Sequence, residues 1–480
     1  MNAILHWHLA VLLVVGLCTP SAYAQPWSSA LPSSMGAPNV VYADTVHDQL
    51  IVASMLPFVL EPEYGYYPVY HYNGFAWDTL GLFGHSVKTA VVYHDTLFVA
   101  GGFEWMHNDS IWSIACHVDG QWHPYGNFQM YHPFANNGNS NGGIWRLRVV
   151  DGELFATGDF RYADGQLCKG VAKRVGGHWE PLPGWPELNF LGDPRIMDII
   201  RFQGRLVVAG NFSFVGHDPW WTDALQYDGT DWGPICDHCL MGGVGNVAVM
   251  TEYKEELYVG GGFYYSGGNA GQGIMRWDGE TWRSLGPVGG GLQIYNYSDQ
   301  YTPGIGDLQV RDGLLYISGG YRFVNHMPVA AGICTWDSTD FCLPEGDYFA
   351  DFFMPIAFYR DTLYGAVSGQ PYPPPRPDLF GLVRYTGNFS NCTTLGVEEP
   401  VGAGTALQAV WEAGSAFALL GLPDGRHRVQ VYDAQGRLVM DAQVSSTAGR
   451  SEALDLHGKG AALYMVVVDR FQTVKLAATR

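Results

Sequence analysis

One segment recurs along most of the chain, and this recurrence limits the fold more than any other feature of the sequence. It is a short apolar run that begins with Leu and in most copies contains Gly before a final aromatic residue, as in "LYVGGGF" from Leu257. Its copies begin at Leu50, Leu97, Leu154, Leu206, Leu257, Leu315 and Leu363, so neighbouring copies start 47 to 58 residues apart. Seven copies of such a unit predict a repeat architecture, in which each unit buries its apolar face against its neighbours.

A second landmark follows each copy by about twenty residues and places a turn between aromatic or apolar residues. In the fifth unit it is Trp277-Asp278-Gly279-Glu280-Thr281-Trp282. The related segments begin at Tyr72, Val118, Val175, Tyr227, Trp336 and Tyr385. Asp-Gly and Asn-Gly adopt positive φ at low cost and reverse the chain between antiparallel strands, and flanking aromatic side chains can pack across the hairpin. We therefore predict a hairpin in every unit.

A third landmark is a short apolar strand before each Leu run, such as Val91-Val92-Tyr93-His94-Asp95, which gives four strands per unit. Four-stranded antiparallel units of about 50 residues are the blades of a β-propeller. We predict an all-β protein whose main part is a seven-bladed β-propeller with four-stranded antiparallel blades. The segment Trp27-Ser28-Ser29-Ala30-Leu31 is similar to the strand after the hairpin turn, so we expect it to close the last blade.

The paired motifs "LYVGGxF" and "WDGxxW" resemble the repeats of kelch-like, galactose-oxidase-like β-propellers of secreted bacterial proteins. The resemblance covers roughly residues 27–395. It implies an architecture and not an activity, because propellers serve in binding, scaffolding and catalysis alike.

The sequence pattern of the C-terminal part differs from that of the repeats. A polar linker with Gly and Pro is predicted over residues 396–408, followed by a small Ig-like β-sandwich over residues 409–480. Its "VYDAQGRLV" core, the strand around Tyr464 and a last strand that carries Lys resemble the type A-like C-terminal sorting domain of the type IX (Por) secretion system of Bacteroidetes. The chain departs from that domain in lacking a Tyr-Pro-Asn-Pro opening and in having Ala-Leu where Gly usually precedes the Tyr.

The sorting-domain resemblance implies that the type IX secretion machinery is a partner and carries the protein across the outer membrane. It also implies later removal of the tail, with surface attachment or release of the rest. An ordinary accessory sandwich is the alternative.

The N-terminal segment predicts export. Ala10–Leu17 is an apolar run too short to cross a bilayer, and Ala22-Tyr23-Ala24 has the small-x-small pattern of a cleavage site. We therefore predict a signal peptide at residues 1–24 and assign the propeller to residues 25–395. Cys18 leaves a lipoprotein as the alternative. No other run has the length and apolarity of a membrane span, so we expect none in the mature chain.

The charge balance excludes one class of partner. With 46 acidic and 26 basic residues the net charge is −20, which argues against nucleic-acid binding and suits an extracellular protein.

The cysteines do not define a metal site. Cys236 and Cys239 form a lone CxxC, for which a local disulfide is favoured over zinc because no second pair follows at zinc spacing. Cys116 and Cys334 occupy an apolar column of the repeat, and we expect both to be buried thiols.

No motif selects a catalytic residue, a metal ligand or a cofactor. Asp and Gly are adjacent in "DGETW", whereas the sialidase Asp-box separates them by one residue. Tyr and His are abundant but lack the spacing that would indicate copper. Loop aromatic residues are the candidate contacts for a glycan or protein ligand, with the covering of blade edges as the alternative: Trp220, Trp221, Tyr66 and Tyr67.

We therefore expect a secreted or cell-surface binding or adhesion protein that is not an enzyme and needs no cofactor. The alternatives are a secreted carbohydrate-active enzyme or copper oxidase with its site at the propeller funnel, and a structural surface-layer component.

Overall fold

A computed structural model gives the fold of most of the chain between residues 26 and 477. It describes residues 26–31, 37–54, 58–61, 64–106, 113–130, 143–186, 188–189, 195–214, 224–235, 247–263, 269–285, 292–293, 304–324, 327–346, 349–350, 352–368, 376–389, 391–392, 408–411, 416–420, 422, 424–433, 438–448, 450–456, 463–468 and 472–477.

Two compact units divide the chain, Met1–Cys392 and Thr393–Arg480. The first contains the repeats and the second contains the C-terminal segment. Both consist of antiparallel strands, together with a short 3-10 turn at Pro377–Leu379 in the first unit. Within the described ranges no helix is long and apolar enough to cross a membrane. The prediction of an all-β protein is confirmed.

The first three repeats form sheets that we number 1 to 3. They are preceded by β1 (Trp27–Ser29), which pairs with the last sheet. Sheet 1 consists of β2 (Pro38–Asp44), β3 (Gln49–Ser54), β4 (Phe58–Glu61), β5 (Tyr64–Tyr72) and β6 (Trp77–Phe83). Sheet 2 consists of β7 (Val87–Tyr93), β8 (Thr96–Gly101), β9 (Ile114–Val118) and β10 (Gln121–Pro124). Next come β11 (Phe128–Met130), β12 (Ile144–Val150), β13 (Glu153–Gly158), β14 (Phe160–Ala163), β15 (Gln166–Leu167), β16 (Val171–Val175) and β17 (His178–Pro181). Of these, β12, β13, β16 and β17 form sheet 3, and the others form a small sheet of their own.

The fourth and fifth repeats form sheets 4 and 5. The fourth contains β18 (Leu188–Asn189), β19 (Arg195–Phe202), β20 (Arg205–Asn211), β21 (Ser213–Phe214), β22 (Ala224–Tyr227) and β23 (Trp232–Pro234). Sheet 4 is β19, β20, β22 and β23, and β18 pairs with β21. Sheet 5 is β24 (Val247–Tyr253), β25 (Glu256–Gly261), β26 (Ile274–Trp277) and β27 (Trp282–Arg283).

The last two repeats are joined by a pairing of Gly320 with Phe352. Their strands are β28 (Leu292–Gln293), β29 (Gly304–Arg311), β30 (Leu314–Gly320), β31 (Phe323–Val324), β32 (Met327–Pro328), β33 (Ile333–Trp336), β34 (Phe341–Leu343), β35 (Phe352–Tyr359), β36 (Thr362–Ser368), β37 (Gly381–Tyr385) and β38 (Asn391–Cys392). We call β29, β30, β33 and β34 sheet 6, and β35, β36, β37 and β1 sheet 7. The strands β28, β31 and β32 form a separate small sheet.

The N-terminal strand supplies the fourth strand of sheet 7. β1 runs antiparallel to β37 and places Trp27 opposite Tyr385. The ring of Trp27 packs against Phe349, Phe353 and Tyr385, and its indole N–H donates to the carbonyl oxygen of Glu345 at 3.0 Å. The expectation that this segment closes the last sheet is confirmed.

The last predicted hairpin, at Tyr385–Phe389, is wrong because β1 takes the place of the expected second strand. β37 ends at Tyr385, and Phe389 packs against Tyr385 and Tyr316 instead of entering a paired strand. The chain then forms β38, which pairs with β34 and sets Cys392 opposite Cys342. Cys342 is disulfide-bonded.

The first strands of sheets 1 to 7 meet in a closed circuit. Each contacts the first strand of the next sheet, in the order β2, β7, β12, β19, β24, β29 and β35, and β35 contacts β2. The first strands therefore lie innermost, and the outer strands pack sheet against sheet. This arrangement of antiparallel sheets fits a β-propeller.

The repeated Asp of the hairpin landmark forms the turn itself. Oδ1 of Asp278 accepts the backbone N–H groups of Glu280 at 2.9 Å and Thr281 at 2.7 Å, and Gly279 has φ of 105°. The residues with the same pair of bonds are Asn73, Asp228 and Asp337. Because this carboxylate satisfies two turn N–H groups, its recurrence follows from hairpin geometry.

The aromatic residue after the turn connects one sheet to the sheet before it. The indole N–H of Trp179 donates to the carbonyl oxygen of Tyr125 at 2.9 Å, and the ring is fully buried. Trp122 and Trp232 donate in the same way to Leu80 and Pro183. Each such Trp buries a large apolar surface and satisfies its only polar atom in one contact, which explains its place in the repeat.

The recurrent Gly reflects close packing of two backbones. A Cβ on Gly101 would fall on the carbonyl oxygen of Ser86, and one on Gly319 would fall on that of Gly304. Both glycines lie within the last two residues of the second strand of a sheet, where it faces the start of the first strand, so no larger residue fits.

The second unit is one antiparallel sheet. Its strands are β39 (Gln408–Trp411), β40 (Ala416–Leu420), β41 (Gly425–Asp433), β42 (Leu438–Thr447), β43 (Arg450–Ser451), β44 (Leu454–Asp455), β45 (Leu463–Val468) and β46 (Gln472–Ala477). The order is β39-β40-β43-β42-β41-β45-β46, with β44 beside β40. The strands predicted around "VYDAQGRLV", Tyr464 and the last Lys are confirmed. The predicted linker lies outside the described residues except for Gln408, which begins β39.

Candidate functional site

The innermost strands share an irregularity that aligns them residue by residue. Each of the seven strands shifts register against its partner near its start, as a β-bulge does. We call the first residue that pairs again after the shift the post-bulge residue. From sheet 1 to sheet 7 these residues are Val40, Thr89, Arg146, Asp198, Val249, Asp307 and Ile356. The position therefore carries an apolar, polar or charged side chain depending on the sheet, although all seven strands have the shift. In sheet 7 the shift spans two residues, and in the other sheets it spans one.

On one side of the ring, charged side chains join three sheets. Arg148 of sheet 3 donates from Nε and Nη2 to the two carboxylate oxygens of Asp198 of sheet 4, both at 2.8 Å. The same Nη2 donates to the carbonyl oxygen of Met250 of sheet 5 at 3.1 Å. Arg146 adds an ion pair with Asp198 at 3.7 Å. We call this part of the ring centre, formed by sheets 3, 4 and 5, the ion-pair side.

Asp198 is fully buried and its oxygens are fully used. Besides the two arginines, it accepts the backbone N–H of Met250 at 2.8 Å and that of Ile199 at 3.0 Å. Burial opposes its ionisation, but the charges of Arg148 and Arg146 and these hydrogen bonds outweigh burial and hold the pKa of Asp198 below its usual value. The carboxylate is thus a charged structural link between sheets.

Asp307 occupies the same post-bulge position in sheet 6 but has different bonding partners. Its Oδ2 accepts the backbone N–H of Ile356 of sheet 7 at 3.0 Å, but no ion pair with Asp307 occurs among the described residues. Desolvation raises the pKa of Asp307, and the more distant charges of Arg146 and Arg148 offset this only in part. Gln309, two residues on, donates its amide to the carbonyl oxygen of Ile356.

A cavity of about 490 Å³ lies against the inner strands of sheets 6, 7 and 1. We call this part of the ring centre the cavity side. Its lining combines apolar, aromatic and hydrogen-bonding side chains, from Val41, Tyr42, Ala43, Gln309, Val310, Arg311, Asp312, Ala357 and Phe358. Small-molecule sites have volumes of roughly 300–1,000 Å³ and this mixed character.

Arg311 and its neighbours set the charge of the cavity. The guanidinium of Arg311 lies 4.6 Å from the ring centre of Phe358 and forms ion pairs with Asp361 and Asp312. The side chains of Asp312 and Asp361 are 81% and 93% exposed. One cation is therefore balanced by two carboxylates at this point, and the cavity carries no excess positive charge.

Of the four predicted ligand-contact aromatics, two lie in the described ranges. Tyr66 packs edge-on against Trp105 at 5.4 Å, and Tyr67 stacks on His85 at 5.3 Å. Both tyrosines are half-buried and lie in the first half of β5, before the residues that pair with β3, and neither lines the cavity. Trp220 and Trp221 lie outside the described residues.

Among the described residues, the cysteines and the potential metal ligands form no metal site. Cys236 and Cys239 lie outside the described residues. Cys116 and Cys334 are buried free thiols, as predicted. Burial raises the pKa of the Cys334 thiol to about 12. Within the described ranges, no group of three or more His, Cys, Asp or Glu could hold a metal ion.

Sequence reasoning missed the charged inner-strand residues. Arg146, Arg148, Asp198 and Asp307 are all in the first strand of a repeat, which pattern analysis treats as a buried apolar strand. The charges themselves are the signal that could have found these residues, because a charged side chain within a buried strand must be paired or functional.

Comparisons with known proteins give weak matches. No protein-family model matches the chain, and no curated protein sequence does. PorZ, a surface component of the type IX secretion system of Porphyromonas gingivalis, is 14% identical with a TM-score of 0.43 over 93% of this chain, which spans 60% of PorZ. A sialidase of Trypanosoma rangeli is 10% identical with a TM-score of 0.36, over 90% of this chain and 83% of the sialidase. GH43B of the Bacteroides ovatus xyloglucan locus is 12% identical with a TM-score of 0.29, over 92% and 87% of the two chains.

Proposed function

We propose that the protein is an exported seven-bladed β-propeller that binds an extracellular glycan or protein and does not transform it. Sheets 1 to 7, the circuit of their first strands and the closure by β1 support the blade count. In this proposal residues 25–395 are the propeller, with kelch-like repeats, and it acts at the cell surface or after release.

The observation that carries the binding function is the cavity at the ring centre. It has the volume of a ligand site, and its lining offers both apolar surface and hydrogen-bonding groups. The repeated carboxylates, by contrast, are occupied: Asp278 by turn N–H groups, and Asp198 by two arginines and two backbone N–H groups. These carboxylates are therefore not available to a ligand.

Delivery by the type IX secretion system is a separate part of the proposal. Residues 1–24 serve as the signal peptide, 396–408 as the linker and 409–480 as an Ig-like sorting domain. The β41–β42 hairpin carries the "VYDAQGRLV" core, and Lys475 lies in the last strand, β46. Deletion of residues 396–480 is expected to leave the protein in the periplasm, measured by fractionation. Unchanged export would refute this part.

Two residue-level proposals accompany the binding function. Tyr66, Tyr67, Trp220 and Trp221 form further ligand contacts, and Cys236 and Cys239 form a local disulfide. Alanine variants of the aromatic residues and peptide mapping without reduction test them.

The purified full-length protein tests the binding function directly. We expect it to bind at least one member of a glycan array or of a panel of extracellular proteins, measured by biolayer interferometry, without turnover of any array glycan. An absence of binding in both assays removes the proposal. Product release from a glycan contradicts its non-catalytic part.

A carbohydrate-active enzyme is the second candidate, and one residue favours it. Desolvation raises the pKa of Asp307, as burial does for the general acid of a glycosidase. If Asp307 is such an acid, a polysaccharide turnover screen gives activity that Asp307→Asn abolishes. Binding without turnover favours the first candidate.

A further inference from the structure

We propose that the cavity side holds a neutral saccharide of about one or two rings, an inference that rests on the binding function proposed above. The cavity, at about 490 Å³, is lined by three consecutive inner strands, β29, β35 and β2. A concave site of this size suits a small ligand or the end of a glycan chain.

A sugar ring presents apolar C–H faces and polar hydroxyls to a protein, and the cavity lining has groups that complement both. Val310, which is 46% exposed, and Phe358 supply apolar contact for the C–H faces of a ring. Gln309, Arg311 and Asp312 supply planar groups that donate to and accept from hydroxyls. A saccharide contacts both kinds of surface at once, while a purely apolar ligand would remove water from the polar groups without replacing its hydrogen bonds.

The charges select a neutral ligand. Arg311, the cation of the lining, already faces the carboxylates of Asp312 and Asp361. An anionic sugar would have to displace one of these carboxylates and approach the other. The net charge of −20 opposes an anion as well.

The ion-pair side shows why the site lies where it does. Arg148 and Gln309 occupy the same register position, two residues after the post-bulge residue. On the ion-pair side, Arg148 reaches across to sheets 4 and 5 and bonds to both. On the cavity side, Gln309 reaches only to the backbone of sheet 7, and open space remains.

The repeat provides a matched pair of variants. Val310 of sheet 6 and Val149 of sheet 3 are equivalent in register, and they are 46% and 39% exposed. Val310→Trp puts an indole into the cavity, whereas Val149→Trp puts the same group on the ion-pair side. A second set of two variants removes one inter-sheet ion pair each. Arg311→Ala breaks the ion pair with Asp361 at the cavity, and Arg201→Ala breaks the ion pair with Asp151 away from it.

The full-length protein and these variants are tested on a glycan array that contains neutral hexose oligosaccharides and sialylated glycans, and the best array ligand is then titrated by calorimetry. We expect a neutral ligand, loss of detectable binding in Val310→Trp, and about tenfold weaker binding in Arg311→Ala, which corresponds to one lost hydrogen bond to a charged group. Val149→Trp and Arg201→Ala should bind as the wild type does. Affinity should change little between 50 mM and 500 mM salt, because the ligand is neutral.

The other outcomes separate this inference from the proposed function. Glycan binding that Val310→Trp leaves intact, binding of sialylated glycans alone, or binding only to proteins overturns the cavity site and keeps the binding function. An absence of all binding overturns both. If Val310→Trp unfolds, as judged by circular dichroism, the test is the difference in ligand affinity between Arg311→Ala and Arg201→Ala. Equal affinities of these two variants then overturn the cavity site.

Discussion

The ion-pair side and the cavity side of the ring centre use the same backbone for different purposes. Asp198 and Asp307 share the post-bulge position, yet the first is held by Arg148 and the second is bonded to a backbone N–H. On one side charged side chains connect three sheets, and on the other a cavity of about 490 Å³ lies against the inner strands. In a repeat fold, the backbone geometry that recurs in every repeat thus holds the sheets together. Differences between side chains at equivalent positions indicate where function lies.

The largest effect is expected at the seam of the ring, where β1 completes sheet 7, one of the three sheets whose inner strands line the cavity. Trp27→Ala removes a buried ring that packs on three aromatic side chains, and we expect a loss of about 3–5 kcal/mol in the free energy of unfolding. Because β1 is joined to sheet 7 by pairing alone, amide hydrogen exchange should rise first in β1 and β37.

Trp232→Ala is the control for the seam, since Trp232 lies in sheet 4 and makes the equivalent bond to Pro183 of the preceding repeat. The hairpin connects its strand to the rest of its sheet, so exchange in β1 should not change. If β1 and β37 exchange no faster in Trp27→Ala than in Trp232→Ala, then the seam is not the weaker edge of the ring.

A smaller effect separates the two sides directly. Arg148→Ala removes the principal partner of buried Asp198, but Arg146 remains, so we expect a loss of about 2–3 kcal/mol, below the usual cost of breaking a buried pair. Gln309→Ala, at the equivalent position, removes a hydrogen bond to the carbonyl oxygen of Ile356 and a longer one, of 3.5 Å, to the carboxylate of Asp307, and should cost about 1 kcal/mol. Urea denaturation measures both, and equal losses would remove the distinction between the sides.

The smallest effect concerns the exposed ion pairs. Arg311→Ala and Arg201→Ala should each change the free energy of unfolding by no more than about 1 kcal/mol, because their carboxylate partners are largely in water. Thermal melts in low and high salt measure this. A large loss confined to Arg311→Ala would mean that Arg311 supports the fold and not a ligand.

The sequence was sufficient for the features that repeat. The Leu runs, the Asp-Gly hairpins and the strand at Trp27 follow from local turn chemistry and from the spacing of apolar residues, and these predictions are confirmed. The hairpin at Tyr385–Phe389 was wrong because a distant segment, β1, competes for the same edge of β37.

The candidate site could not be predicted in the same way. Arg148 and Asp198 are 50 residues apart, and the cavity lies between strands from the first and the last two repeats. Their proximity depends on which inner strands meet around the ring, and a linear pattern does not contain that information. The sequence predicts Tyr66 and Tyr67 as ligand contacts from their residue type alone, and in the structure both pack on neighbouring rings.

The most direct test of the difference between the two sides is the pH dependence of stability in Asp198→Asn and Asp307→Asn. The pKa of Asp198 is lowered, so its ionised form stabilises the fold above the unfolded pKa of about 3.9, and that stability is lost as the pH falls through the lower folded value. The pKa of Asp307 is raised, so its contribution is full below the unfolded pKa and is lost as the pH rises through the folded value.

By urea denaturation at pH 7, Asp198→Asn should be less stable than the wild type by about 3 kcal/mol or more, and this deficit should shrink towards pH 3. Asp307→Asn should be as stable as the wild type at pH 7 or more stable. Equal losses in the two variants at pH 7, or a larger loss in Asp307→Asn, would contradict the account.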